Sequence, residues 1–185
     1  LIGDQAQYHS TNAGSIHPSL EKKIKNKNVL FVDVSFSKDV ISRLKTITQK
    51  LFIIDHHITF KNEIERNSKV ELDMKHSAIS MVWKKFYGKK EVPLVVKYIE
   101  DHDLWNHKYP ETENFMTALP IMYPYKKSSQ FSTWDDLLKK SVINKVLKQG
   151  KNYLEYKNYI MDLNTGNNRV MKMKMGDYKV CVVNM

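Results

Sequence analysis

The residues best suited to chemistry in this chain come in three knots, each tied to an apolar run. Asp55-His56-His57 directly follows Leu51-Phe52-Ile53-Ile54. Asp33 interrupts Val29-Leu30-Phe31-Val32-Asp33-Val34, and Asp101-His102-Asp103-Leu104-Trp105 closes a third apolar stretch. Carboxylates are hard oxygen ligands for divalent cations, and imidazole adds a preference for transition metals over Mg²⁺. Three polar, metal-competent side chains at one strand end are hard to explain by stability alone. A carboxylate embedded among apolar residues is costly unless it is paired or holds a metal. Lone loop histidines such as His9 and His17 carry far less weight.

These knots need elements to bring them together. Leu51 to Ile54 suits a buried strand that drops Asp55, His56 and His57 at its C-terminal end, the edge where open α/β sheets place ligands. Val29 to Val34 reads as a second buried strand, with Val34 arguing that the strand continues past Asp33. Between them Ser35 or Ser37 can cap a helix whose buried stripe is Val40, Ile41, Leu44 and Ile47. Strand, helix and strand make a right-handed βαβ unit with parallel neighbours about 4.8 Å apart, so Asp33 and the Asp55–His57 group share one sheet edge.

Further on, residues 59–65 read as a short helix or turn and residues 69–73 as a short exposed strand. Ser77 caps a helix through Tyr87 that Gly88 stops, with Met81 and Trp83 in the core and His76 in the preceding turn. Pro93 opens a helix through Glu100, which delivers Asp101 and Asp103. Two carboxylates at a helix C-terminus oppose the dipole and call for a cation. Glu111 to Leu119 is helical, Pro120 to Ser132 is loop, and Tyr123 to Lys127 is a candidate substrate-facing patch. Thr133 caps a long helical stretch through Ile160. Residues 164–168 form a loop. Met171, Met173 and Met175 alternate with lysines as a half-buried strand, and Gly176-Asp177 turns it into the strand Val180 to Val183.

The chain has 185 residues, 42% hydrophobic and 11% aromatic, which fits a globular α/β protein and excludes a disordered one. No run is long enough to span a membrane. The single cysteine, Cys181, excludes a disulfide framework and points to a reducing, cytoplasmic setting. The formal charge of +10 suits phosphate-bearing partners, although the lysines are scattered rather than clustered. The chain starts at Leu1 and stops at Met185 directly after a strand-like run, which reads as a piece of a longer protein.

The ordered set Phe31-Val32-Asp33-Val34-Ser35, Leu51 to His57 and Tyr98-Ile99-Glu100-Asp101-His102-Asp103-Leu104-Trp105 resembles the DHH phosphoesterase superfamily, in the branch with a C-terminal DHHA1-type domain. The resemblance spans roughly residues 20–120, and Gly176 to Asn184 is similar to the start of the DHHA1-type domain. It implies an α/β fold: a parallel-sheet DHH domain over residues 1–164, then the beginning of a smaller substrate-binding domain over 165–185. It implies two Mn²⁺ ions, with Mg²⁺ the alternative. Asp33 would bridge them, His56 would bind one, and Asp101 would be the last carboxylate ligand, with Asp103 its rival. Asp55 would act beside the metals, and His57 would contact the scissile phosphate or leaving oxygen as an acid or electrostatic stabiliser.

The implied activity is metal-dependent hydrolysis of phosphodiester bonds in short oligonucleotides or nucleotides, using a water activated between two cations about 3.5–4 Å apart. Polyphosphate or pyrophosphate hydrolysis is the alternative within enzymes. A non-catalytic nucleic-acid-binding relative is the alternative outside them. Expected partners are small phosphate-bearing substrates or short oligonucleotides and no membrane, with a homodimer among the open assemblies. Two family features are absent: the first motif, a strand ending in a His/Asp-x-Asp-Gly pattern, and the glycine- and histidine-rich motif of the second domain. Asp4 is the only acid before Glu21 and sits in no such pattern. Both motifs are expected to lie outside this chain.

Overall fold

The structure is a computed structural model and describes residues 6–57, 70–124, 131–165 and 170–183. By packing, the chain divides into two compact units, Leu1–Tyr109 and Pro110–Met185. The boundary expected from sequence, at residues 164 and 165, falls inside the second unit.

The first unit is built on a three-stranded parallel sheet, β1 (Asn28–Val32), β2 (Lys50–Asp55) and β3 (Val70–Leu72), in that order. It carries the expected βαβ unit. Around the sheet lie α1 (Pro18–Ile24), α2 (Lys38–Ile47), α3 (Ala78–Tyr87) and α4 (Leu94–Asp103). Helix α2 starts where Ser37 accepts a hydrogen bond from Val40 N–H. Ile41 and Leu44 then fall on its buried stripe, one turn apart. These side chains pack with Ile16, Leu20, Ile24, Phe31, Val34, Phe36 and Ile53 into one core on a face of the sheet. Phe31 and Phe36 meet edge to face at 4.9 Å. Near-complete burial of an Ile or Leu contributes about 1.5–3 kcal/mol, so this cluster is what holds the sheet edge in place.

Two expectations need correction here. Strand β1 is not buried on both faces among the described residues, since Leu30 and Val32 are exposed. It also stops at Val32, so Asp33 sits in the turn just past the strand rather than within it. Asp33 adopts a left-handed backbone with φ 57°, while its N–H still reaches Ile54 C=O at 2.9 Å. That kink redirects the chain and carries Val34 and Phe36 into the core, which is why an apolar residue follows Asp33 without prolonging the strand.

Helix α4 runs three residues further than expected, through Asp103. Pro93 stands at its N-cap and Ser77 at that of α3, where the Ser77 hydroxyl donates to Glu100 Oε2 at 3.3 Å instead of capping. Residues 59–65 lie outside the described residues.

The second unit contains α5 (Thr112–Met122), α6 (Phe131–Leu137), α7 (Lys140–Thr165) and the antiparallel hairpin β4 (Val170–Met175) and β5 (Tyr178–Val183). Pro120 lies inside α5 rather than ending it, and Thr133 lies within α6 rather than capping a long helix. Helices α5 and α7 approach so closely at Gly150 that a Cβ there would stand 1.9 Å from the Asn114 carbonyl oxygen. Gly176 has φ 62° in the turn, as a two-residue hairpin with glycine first requires. Tyr123 is described, while residues 125–127 of the expected loop patch and 166–168 of the later loop lie outside the described residues. Among the described residues no helix is long and apolar enough to cross a membrane.

Candidate metal centre

The parallel register sets the site. Val32 is level with Ile54, so the next residues, Asp33 and Asp55, emerge side by side at the C-terminal edge of the sheet. His56 and His57 follow at once. One ligand atom from each of Asp33, Asp55, His56 and His57 can be chosen so that all lie within 4.8 Å of one another. The last turn of α4 adds a fifth group, because Asp103 Oδ2 stands 3.3 Å from His56 Nε2.

Asp55 is the fixed point of this group. It is 0% exposed, yet both carboxylate oxygens are engaged. Oδ2 accepts from the Ser35 hydroxyl at 2.5 Å. Oδ1 accepts from His56 N–H at 2.8 Å and pairs with His57 Nδ1 at 2.6 Å. Burial alone pushes the Asp55 carboxyl up, but the bonds from Ser35, His57 and His56 together outweigh it and hold it below its ordinary value. The bond to Asp55 raises the His57 pKa against the opposing effect of partial burial, with help from the charges of Asp55, Asp33 and Asp103. Asp55 therefore orients the loop and the His57 ring, with Nδ1 facing Asp55.

His56 is placed differently. Its Nε2 is buried and, among the described residues, has no hydrogen-bond partner. Asp33 Oδ1 nevertheless stands 3.1 Å away and Asp103 Oδ2 3.3 Å away. These are contact distances without hydrogen-bond angles, so the nitrogen is ringed by two carboxylates but bonded to neither. Donor atoms about 2.1 Å from an octahedral ion lie about 3 Å from their neighbours in the shell, and the observed spacings match that. A buried, unbonded imidazole nitrogen facing two exposed carboxylate oxygens fits a divalent cation.

Of the two carboxylates at the end of α4, the structure brings Asp103 and not Asp101 to His56. Asp101 is buried and turned the other way, with Oδ1 accepting from Lys108 N–H at 2.7 Å and Oδ2 from Tyr109 N–H at 3.2 Å. Its task is to fold the loop that follows the helix. That loop leaves α4 through a Schellman-type cap. Trp105 N–H bonds His102 C=O at 3.2 Å, Asn106 N–H bonds Asp101 C=O at 3.0 Å, and Trp105 has φ 54°.

Three polar side chains make contacts that were not evident from sequence. Ser35 was a candidate helix cap, but its hydroxyl anchors Asp55 while Ser37 caps α2. His76 bridges two helices, with Nδ1 3.2 Å from Glu100 Oε1 and Nε2 2.7 Å from Lys84 Nζ. His17 caps α1, its Nδ1 accepting from Ser19 N–H.

No family model matches the chain, and no solved structure matches it. Among curated proteins it is similar to an uncharacterized protein of Acanthamoeba polyphaga mimivirus, at 28% identity over 159 residues. The match covers 83% of this chain and 36% of the relative, so the chain spans about a third of that protein's length.

Proposed function

We propose that this chain carries the metal-binding half of a phosphohydrolase of the DHH phosphoesterase type, acting on phosphodiester bonds of nucleotides or short oligonucleotides. The observation that supports this best is the His56 Nε2 atom, buried without a hydrogen bond among the described residues and ringed by Asp33 and Asp103 at 3.1 and 3.3 Å. Asp33, His56 and Asp103 would hold a divalent cation, Mn²⁺ by preference. Such an ion supplies Lewis acidity and charge neutralisation at a phosphoryl group. A second ion, expected from the family resemblance, would share Asp33.

The protein's own groups have separable roles. Asp55 holds the backbone of residues 56–57 and fixes the ring of His57. His57 is half exposed and is favoured in its charged form by Asp55. It can therefore stabilise charge on a phosphoryl oxygen or donate a proton to the leaving oxygen. The chain's net charge of +10 favours the approach of polyanions.

The test is turnover of a model phosphodiester in the complete protein with Mn²⁺. Asp33→Ala and His56→Ala are expected to lower hydrolysis by at least about a hundredfold, as loss of a metal ligand does. Unchanged Mn²⁺-dependent hydrolysis in both variants would refute the proposal. Salt-sensitive oligonucleotide binding with no metal requirement would establish a binding module instead.

A further inference from the structure

The cap of α4 holds an unexpected residue. The C′ position of a Schellman cap is left-handed, and glycine is the usual occupant because a Cβ is disfavoured there. Here it is tryptophan, at φ 54° and 76% exposed. Stability alone argues for glycine at this position and against displaying a large apolar ring to water. A non-glycine residue held in this conformation is the kind of outlier found at binding sites. The ring is not loose, since His102 lies nearly parallel to it (19°, centroids 6.4 Å apart) and His107 meets it edge-on at 6.1 Å. Trp105 is two residues beyond Asp103, so their Cα atoms are within about 7.6 Å. His107 also has a left-handed backbone, at φ 51°. The Asp101 carboxylate pins the loop from below through Lys108 and Tyr109 N–H. The result is a solvent-facing aromatic plane, flanked by two imidazoles, two residues along the chain from the carboxylate that would touch the metal.

We propose that Trp105 is a stacking platform for the nucleobase of a nucleotide whose phosphate lies at the Asp33–His56–Asp103 centre. This rests on the proposed phosphohydrolase reading and adds a base-recognition element to it. Stacking on an indole is tolerant of base identity, so the platform would select nucleotides over other phosphates without reading sequence. The strained backbone presents the ring ready-made, which lowers the ordering cost of binding.

Calorimetric titration of adenosine 5′-monophosphate and of ribose 5-phosphate into the Mn²⁺-loaded chain separates the base from the phosphate. The wild type is expected to bind the nucleotide about tenfold tighter than the base-free sugar phosphate. Trp105→Gly, which suits the left-handed backbone and should melt no lower than wild type, is expected to bind both equally. Trp105→Tyr is expected to keep most of the preference. A nucleotide preference that survives in Trp105→Gly, or is absent from the wild type, overturns the platform while sugar-phosphate binding leaves the metal-centre reading standing. Failure of the wild type to bind either compound overturns both.

Discussion

Replacing Asp55 with alanine is a severe test of how the Asp/His edge of the sheet is held together. The carboxylate is fully buried and receives bonds from Ser35 at 2.5 Å, His57 at 2.6 Å and His56 N–H at 2.8 Å. Hydrogen bonds to an ionised group contribute about 1.5–3 kcal/mol each. His57 is half exposed, so its share is discounted for solvent screening. Deletion also strands the Ser35 hydroxyl and the His56 N–H. The expected loss is about 3–5 kcal/mol, or about 10 °C in melting temperature for a chain of this size. Asp55→Asn keeps the volume and two acceptor bonds but loses the charge, and should cost about 1–2 kcal/mol.

The assay is urea and thermal unfolding in chelator, repeated across pH. Asp55 has a lowered pKa, so its contribution is present above the ordinary 3.8 and is lost as pH falls through the folded value. His57 has a raised pKa, so its contribution is complete below the ordinary 6.5 and is lost as pH rises through the folded value. The gap between wild type and Asp55→Ala should therefore be widest between these two values and shrink on either side. A gap below about 1 kcal/mol at pH 5.5, or one independent of pH, would refute this reasoning.

Three further outcomes are expected. Gly150→Ala places a methyl group where the Asn114 carbonyl of α5 already stands, so overpacking should outweigh the gain in helix propensity and cost about 1–3 kcal/mol in urea unfolding. Asp103→Asn should weaken Mn²⁺ binding by about tenfold or more with little change in melting temperature. Asp101→Asn should do the reverse, lowering the melting temperature by several degrees while leaving a measurable metal site, because its oxygens bond Lys108 and Tyr109 N–H rather than facing His56.

Much of the Asp/His cluster at the sheet edge was legible in the sequence. The apolar run 51–54 and the Ser37-capped helix define a βαβ unit, and its parallel register alone places Asp33 beside Asp55. The Met/Lys alternation and Gly176 likewise gave away the hairpin. The choice between Asp101 and Asp103 was not legible, because it depends on where α4 ends. The usual marker of a helix end is glycine at the left-handed cap, and here Trp105 occupies it. Val34 misled in the same way: apolar character after Asp33 reads as more strand, but the left-handed kink sends it to the core instead. Pro120 marked a helix end, whereas α5 continues through it to Met122. Ser35 looked like a cap because sequence spacing cannot tell a hydroxyl turned toward α2 from one turned toward Asp55.

The most direct measurement is a calorimetric Mn²⁺ titration of wild type and His56→Ala, with circular dichroism to confirm that both are folded. Among the described residues His56 Nε2 has no hydrogen bond to lose, so its removal should leave the fold intact and weaken Mn²⁺ binding by about tenfold or more. Equal Mn²⁺ affinity in the two folded proteins would contradict a metal centre at this sheet edge.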